Sequence, residues 1–223
     1  LEIHEQLLAG TYRFNPQREY NINGKLITCW DPKDAIVTKA LTQVITPVML
    51  PHVSERCMHV KGKGLKKAVK EVHRKMKDAA YFCRSDVKGY YRSMNHTILL
   101  DLFKEHIKEP IILQLLEDHC YRLVDRDDGT IDHIYGGISL GCSLSPLMAA
   151  LYLTALDKAM EKKGITYVRF MDDWVILAKS RWALKRAVKK MHQVLTELKV
   201  EVHPDKTQIG RIEKGFDFLG HRF

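Results

Sequence analysis

Ile165-Thr166-Tyr167-Val168-Arg169-Phe170-Met171-Asp172-Asp173-Trp174-Val175-Ile176-Leu177-Ala178 decides how this chain folds. Two runs rich in β-branched and aromatic residues flank a pair of adjacent acids, and such runs favour pleated strands. The pattern predicts a β-hairpin with Asp172 and Asp173 at its turn. Two carboxylates held that close repel each other unless a cation neutralises them. The dipeptide therefore reads either as a divalent-metal site or as an ordinary acidic turn, and taken alone it leaves both open.

Upstream of the hairpin, Gly136-Gly137-Ile138-Ser139-Leu140-Gly141-Cys142-Ser143-Leu144-Ser145-Pro146 is a glycine-bearing loop that ends in a helix start. Ser145 caps and Pro146 suits the first helical position. That helix is predicted to run to about Lys163, with Lys162, Lys163 and Gly164 closing it. Further upstream, the run from Ala79 to Val87 predicts a strand with Asp86 at its C-terminal end. Downstream, Leu184, Ala187, Val188, Met191, Val194, Leu195 and Leu198 trace one stripe at helical spacing, the signature of a core face.

Residues 1–34 read as loops and short strands, with Asn15-Pro16, Asn23-Gly24 and Asp31-Pro32 as turn signals and Lys25 to Trp30 as one strand. A helix follows from Asp34, its N-cap, to Val48, ended by Pro47 and Pro51. The stretch from His59 to Lys67 combines two glycines with four lysines. Lys61 and Lys63 there suit either a loop lying on phosphates or a solvated turn. Helices are predicted over Leu65–Met76 and over about Asn95 to Tyr121, the latter interrupted at Pro110. A hairpin follows around Asp127-Asp128-Gly129. Asp125, Asp127, Asp128 and Asp132 lack the spacing of a calcium loop and read as a solvated turn.

The 223 residues are 45% hydrophobic, enough for a core, and carry 36 Lys and Arg against 27 acids, a net charge of +9. That excess favours a polyanionic partner such as nucleic acid. Cys29, Cys57, Cys83, Cys120 and Cys142 form no Cys-x-x-Cys pair, which argues against a zinc site or a disulfide framework and for a reducing, cytoplasmic setting. No apolar run is long enough to span a bilayer, so no membrane partner is expected. Starting on Leu1, the chain reads as a trimmed segment.

Asp86 on one strand, Asp172 and Asp173 on a hairpin, and a glycine loop feeding a helix between them form an ordered set. Acids from neighbouring strands can converge on two ions about 3.5–4 Å apart, the requirement of two-metal phosphoryl transfer. In this order the chain resembles the bacterial reverse transcriptases related to group II intron and retron enzymes. Asp86-Val87-Lys88-Gly89-Tyr90-Tyr91 is similar to the family's first catalytic motif. Gly137 to Leu153 is similar to its template and nucleotide loop. Phe170-Met171-Asp172-Asp173 resembles the Tyr/Phe-x-Asp-Asp box, His203-Pro204-Asp205-Lys206-Thr207 the lysine segment, and Phe216-Asp217-Phe218-Leu219-Gly220 the primer-grip hairpin. The chain departs from the family at Ser139-Leu140-Gly141, where Pro-Gln-Gly is usual, and at Asp34-Ala35, where Asp-Arg is usual; Lys25, Lys33 or Lys39 would supply that charge.

The resemblance implies an α+β right-hand polymerase fold, fingers and palm with an antiparallel palm sheet packed on helices, and a thumb absent from these residues. Residues 1–78 would be fingers, 79–105 the first part of the palm, 106–133 a helical insertion and hairpin, and 134–223 palm with the catalytic and primer-grip-like hairpins. It implies RNA-directed DNA polymerase activity on an RNA template, a DNA or RNA primer and dNTPs, the alternative being a maturase-like nucleic-acid-binding module. Asp86, Asp172 and Asp173, with the Val87 carbonyl, would hold two Mg²⁺ ions, Mn²⁺ substituting. Tyr91 would be the steric gate selecting deoxynucleotides, and Val87, Gly141, Lys206 and Lys25 would meet the nucleotide. Phe216, Leu219, Gly220, Lys61 and Lys63 would meet primer and template.

Overall fold

The computed structural model describes residues 2–161 and 164–223, apart from the side chains of Lys25 and Leu26. The chain divides into two compact units, Leu1–Met49 with Met94–Ser145 and Leu50–Ser93 with Pro146–Phe223.

The first unit opens on α1 (Glu2–Leu8) where loop and short strand were expected. Seven residues that bury no side chain leave too little periodicity to read. Next, β1 (Gln17–Ile22) and β2 (Lys25–Cys29) pair antiparallel across Asn23-Gly24, both at positive φ, as a tight hairpin turn requires. The following helix, α2 (Pro32–Met49), starts earlier than its sequence suggests and runs past Pro47. Asp31 serves its N-terminus, its Oδ1 accepting the Lys33 N–H at 2.9 Å. Asp34, expected as the N-cap, is fully buried and accepts the Tyr12 hydroxyl at 2.5 Å and the Asn15 N–H at 3.0 Å.

Two further helices, α5 (His96–Lys104) and α6 (Pro110–Cys120), flank the break at Pro110, which takes the first helical position of the second. They lead into β4 (Leu123–Asp125) and β5 (Ile131–His133). The sheet order is β2-β1-β4-β5, with β1 and β4 parallel. Arg126 ties the acidic turn together through Glu19 and Asp132 at 2.5 and 2.7 Å.

The second unit is built on an antiparallel sheet of order β6-β7-β3-β8, from β3 (Tyr81–Asp86), β6 (Ile165–Phe170), β7 (Asp173–Ala178) and β8 (Gln208–Arg211). Trp174, Val175, Ile176, Leu177 and Ala178 are all 0–1% exposed, so both faces of β7 are covered and its sequence is continuously apolar. One face packs Phe82, Val168, Val175 and Leu177 on Ala68 and Val72 of α3 (Gly64–Met76), together with Phe216 and Phe218. The helices α8 (Thr154–Met160) and α9 (Arg181–Glu197) also lie on this sheet, and α9 buries the predicted stripe at Leu184, Ala187, Met191, Val194 and Leu195.

The single helix expected from Ser145 to Lys163 is two, α7 (Ser145–Tyr152) and α8, broken at Leu153. Tertiary donors take the carbonyls at the break. The Tyr90 hydroxyl donates to Ala149 O at 2.6 Å, and Arg169 Nη2 donates to Ala150 O at 3.0 Å, where the helical ladder would otherwise continue. The closing pair Lys162-Lys163 lies outside the described residues.

Among the described residues, no helix is long and apolar enough to cross a membrane.

Candidate active site

β3 ends on Asp86 and β7 begins on Asp173, and the ladder pairs these two residues directly. Opposed residues in an antiparallel pair have Cα atoms only about 4.5–5.5 Å apart. Asp172 sits next to Asp173, in the two-residue link Met171-Asp172 between β6 and β7. Asp173, expected in the turn, is thus a strand residue. Ladder pairing with Phe170 across the hairpin and with Asp86 on β3 fixes it, and the second of these is a long-range fact that no local pattern encodes.

All three acids are partly or fully withdrawn from water, Asp86 being 5% exposed. Its Oδ2 accepts from Lys206 Nζ at 2.6 Å, and Asp173 Oδ2 accepts from Arg84 Nη2 at 3.2 Å. Asp86 Oδ1 and Asp173 Oδ1 are buried without a hydrogen-bond partner. Burial raises the pKa of Asp172, with the Asp86 charge adding to it and Lys206 opposing. Burial likewise raises that of Asp173, with Arg84 opposing. The hydrogen bond to Asp86 raises Lys206. Three acids against two cations leave the corner electron-rich and short of positive charge.

The segment after α9 laces onto the end of β3. The His203 N–H donates to Asp86 O at 2.8 Å, the Lys88 N–H donates to Glu201 O at 2.9 Å, and Val87, 2% exposed, bridges to Val202. Thr207 Oγ1 donates to His203 O at 2.8 Å, so Ser85 Oγ is the donor in its 2.7 Å bond with Thr207. This lacing carries Lys206, at the end of a 3-10 turn, to Asp86.

Tyr91 lies on α4 (Tyr90–Ser93) behind Gly89, whose φ of +57° suits the tight turn off β3. Its hydroxyl approaches Met171 Sδ at 3.9 Å, beside the Asp172 link. Asp86, Val87, Tyr91, Asp172, Asp173 and Lys206 are therefore gathered in the second unit. Gly141 belongs to the first, exposed at φ +75°. Lys25 belongs there too, its side chain outside the described residues.

The remaining sequence candidates meet other partners. Lys61 donates to Val53 O at 2.8 Å and to Glu55 Oε1 at 2.7 Å, and Lys63 donates to Glu55 O at 2.6 Å and to Glu55 Oε2. Both lysines lower the Glu55 pKa to about 2. Phe216 is fully buried, stacked between Phe82 and Phe223 at 4.4 and 5.2 Å. Leu219 and Gly220, at φ +51° and +75°, form the turn between β9 (Asp217–Phe218) and β10 (His221–Arg222).

Sequence reading passed over Arg84, His59 and the buried pair Arg169 and Asp157. A signal was present for the last two: a charged residue inside an otherwise apolar strand or helix must find a buried partner.

Hard carboxylate oxygens, two of them buried and unpaired, fit a divalent cation in their chemistry. Among the described residues, no group of three or more His, Cys, Asp or Glu is already arranged around one point to hold it. Lys206 and Arg84 stand against the same acids instead.

Comparison with known proteins places this architecture. A family model described as reverse transcriptase (RNA-dependent DNA polymerase) matches residues 23–223. Protein YkfC of Escherichia coli strain K12 is 23% identical over 271 residues, covering 99% of this chain and 70% of that protein. The group II intron-encoded protein LtrA of Lactococcus lactis subsp. cremoris is 27% identical over 167 residues, covering 70% of this chain and 27% of that protein. Apo telomerase from Candida tropicalis superimposes with a TM-score of 0.64 at 14% identity, over 93% of this chain and 47% of that one. Telomerase from Candida albicans, in complex with a fragment of telomeric RNA, gives 0.61 at 13% identity over 85% and 36%. At such identities the structural likeness speaks for the fold, the α+β right-hand polymerase fold expected from the sequence, and the chain spans less than half of either telomerase. With the match running over nearly the whole chain, it belongs to the reverse transcriptase (RNA-dependent DNA polymerase) family.

Proposed function

We propose that this chain is the core of an RNA-directed DNA polymerase that extends a primer 3′ end with deoxynucleotides on an RNA template. The observation that carries the reading is the direct pairing of Asp86 with Asp173 beside Asp172, with a buried, unpaired oxygen on each member of the pair. Asp86, Asp172, Asp173 and the Val87 carbonyl would hold two Mg²⁺ ions, with Mn²⁺ as substitute. When bound, these ions activate the primer hydroxyl and neutralise charge on the transferred phosphoryl group.

The chain's own groups position and shield. Desolvation makes every charge interaction in the corner stronger than it would be in water. Lys206 and Arg84 hold the Asp86 and Asp173 carboxylates in place. Tyr91 lies beside the Asp172 link, where its ring selects against a 2′-hydroxyl. Phe216 belongs to the core, so primer contact falls to the Leu219–Gly220 turn. Lys61 and Lys63 serve the 53–63 loop through Glu55. In this reading residues 1–78 are fingers, and 79–105 with 134–223 are palm.

A second reading rests on Leu140. It is 57% exposed and apolar where the resemblance expects a polar glutamine, which favours a maturase-like module that binds nucleic acid and synthesises weakly. One assay separates the two. The full chain is given a primed RNA template, Mg²⁺ and either deoxy- or ribonucleotides, beside Asp172→Asn. Deoxynucleotide extension that is lost in the variant supports the polymerase, whereas template–primer binding without extension supports the module.

A further inference from the structure

Met171 precedes Asp172 in a left-handed conformation, φ +57°, which a side chain other than glycine adopts only when its surroundings impose it. Both of its backbone polar groups are taken by side chains. Its N–H donates to His59 Nδ1 at 3.0 Å, and its carbonyl accepts from Arg169 Nη1 at 2.9 Å. Each of these side chains is itself anchored. His59 Nε2 meets Pro146 O at 3.2 Å, and Arg169, fully buried, donates Nε and Nη2 to Asp157 at 2.7 and 2.5 Å and Nη2 to Ala150 O at 3.0 Å.

The tautomer follows from the partners. Nδ1 receives the Met171 N–H, so it carries no proton, and Nε2–H donates to Pro146 O. Burial keeps the ring neutral, its pKa lowered to about 4. The backbone at Arg169 is pinned too, its N–H donating to Arg56 O at 3.1 Å and its carbonyl accepting from Met58 N–H at 2.7 Å. The segment that carries His59 is thereby fastened to the strand that carries Arg169.

We propose that His59 and Arg169 are positioning residues that clamp the Met171-Asp172 link from both sides and so hold the Asp172 carboxylate in one place. What Asp172 does there rests on the polymerase reading; the clamp itself does not. Partners of this kind behind a metal-binding group change its affinity by about 10- to 100-fold when lost.

The test compares wild type, His59→Ala, His59→Gln and Arg169→Lys as full chains, with circular dichroism to establish folding. Glutamine can accept the Met171 N–H and donate to Pro146 O; alanine can do neither. Arg169→Lys keeps a charge for Asp157 but lacks the planar fork that also reaches Met171 O, and it serves if His59→Ala does not fold. Hydrogen–deuterium exchange of the peptide spanning the link is the first readout. Exchange about tenfold faster in His59→Ala and Arg169→Lys, and near wild type in His59→Gln, is the expected result, the equivalent of one hydrogen bond lost. Mn²⁺ affinity by electron paramagnetic resonance, without nucleotide, should weaken about tenfold in His59→Ala and recover in His59→Gln. The kcat for extension should fall while KM for primed template holds. Unchanged exchange in the folded variants overturns the clamp. A wild type whose link is protected, and is released in the variants, but which neither binds Mn²⁺ nor extends a primer overturns the polymerase reading and leaves the clamp standing.

Discussion

Replacing Asp157 with alanine is the most demanding test of how this unit is held together. Arg169 and Asp157 are both completely buried and joined through two charge-assisted hydrogen bonds of 2.7 and 2.5 Å. Alanine leaves the guanidinium in the core with two carbonyls, Ala150 O and Met171 O, and no counter-charge. Orphaning one partner of such a pair costs about 3–5 kcal/mol, a large part of the 5–15 kcal/mol that typically holds a domain together. The double change Asp157→Leu with Arg169→Met removes both charges and keeps apolar volume. It still leaves the Met171 carbonyl without its donor, at about 1 kcal/mol or more, and Ala150 O with only the Thr154 hydroxyl at 3.3 Å. The double variant should therefore regain at least half of what the single loses, yet remain poor at extension, since nothing holds the Met171 carbonyl. Urea unfolding followed by tryptophan fluorescence, to which Trp174, fully buried in this sheet, contributes, reads the stability. An Asp157→Ala loss below about 1 kcal/mol, or a double variant no more stable than the single, would refute the reasoning.

Three other outcomes follow from the geometry. His119 is fully buried with its pKa driven to about 3, so between pH 6.5 and 3 the unfolded chain binds a proton that the folded chain does not. Its contribution is complete above pH 6.5 and falls by about 2 kcal/mol by pH 5; wild type and His119→Gln should differ in the slope of urea stability against pH by about one proton. Gly210→Ala places a Cβ 2.9 Å from Phe82 Cε1, and that ring is stacked on Phe216 at 4.4 Å and cannot yield, so thermal unfolding should show a loss of about 1–3 kcal/mol. Tyr91→Val should raise ribonucleotide incorporation in single-nucleotide extension about tenfold or more, and an unchanged ratio would remove Tyr91 from sugar selection.

Much of the second unit was legible because its signals are local. The apolar runs at 165–170 and 174–178, the strand ending on Asp86 and the stripe on α9 each declare their element through the period of their own residues. The misreadings share one cause. Asp34 looked like an N-cap until Tyr12 and Asn15 closed on it, and α7 looked continuous with α8 until Tyr90 and Arg169 took its carbonyls. Lys61 and Lys63, which suited either a phosphate loop or a solvated turn, both meet Glu55. In each case a partner distant in sequence or hidden by the loop's path outweighed a propensity of about a kilocalorie or less per residue.

The strands and the long helix of the second unit, the net charge of +9 and the family could be read from the amino acids alone, because side-chain period, turn chemistry and motif order are properties of neighbouring residues. Only the tertiary structure decided that Asp173 faces Asp86 across a ladder, that Lys206 and Arg84 stand against those acids, and that His59 and Arg169 grip Met171. Those contacts join residues up to 120 positions apart. They exist because burying the sheet on both faces brings chain segments together and leaves each buried polar group a short choice of partners.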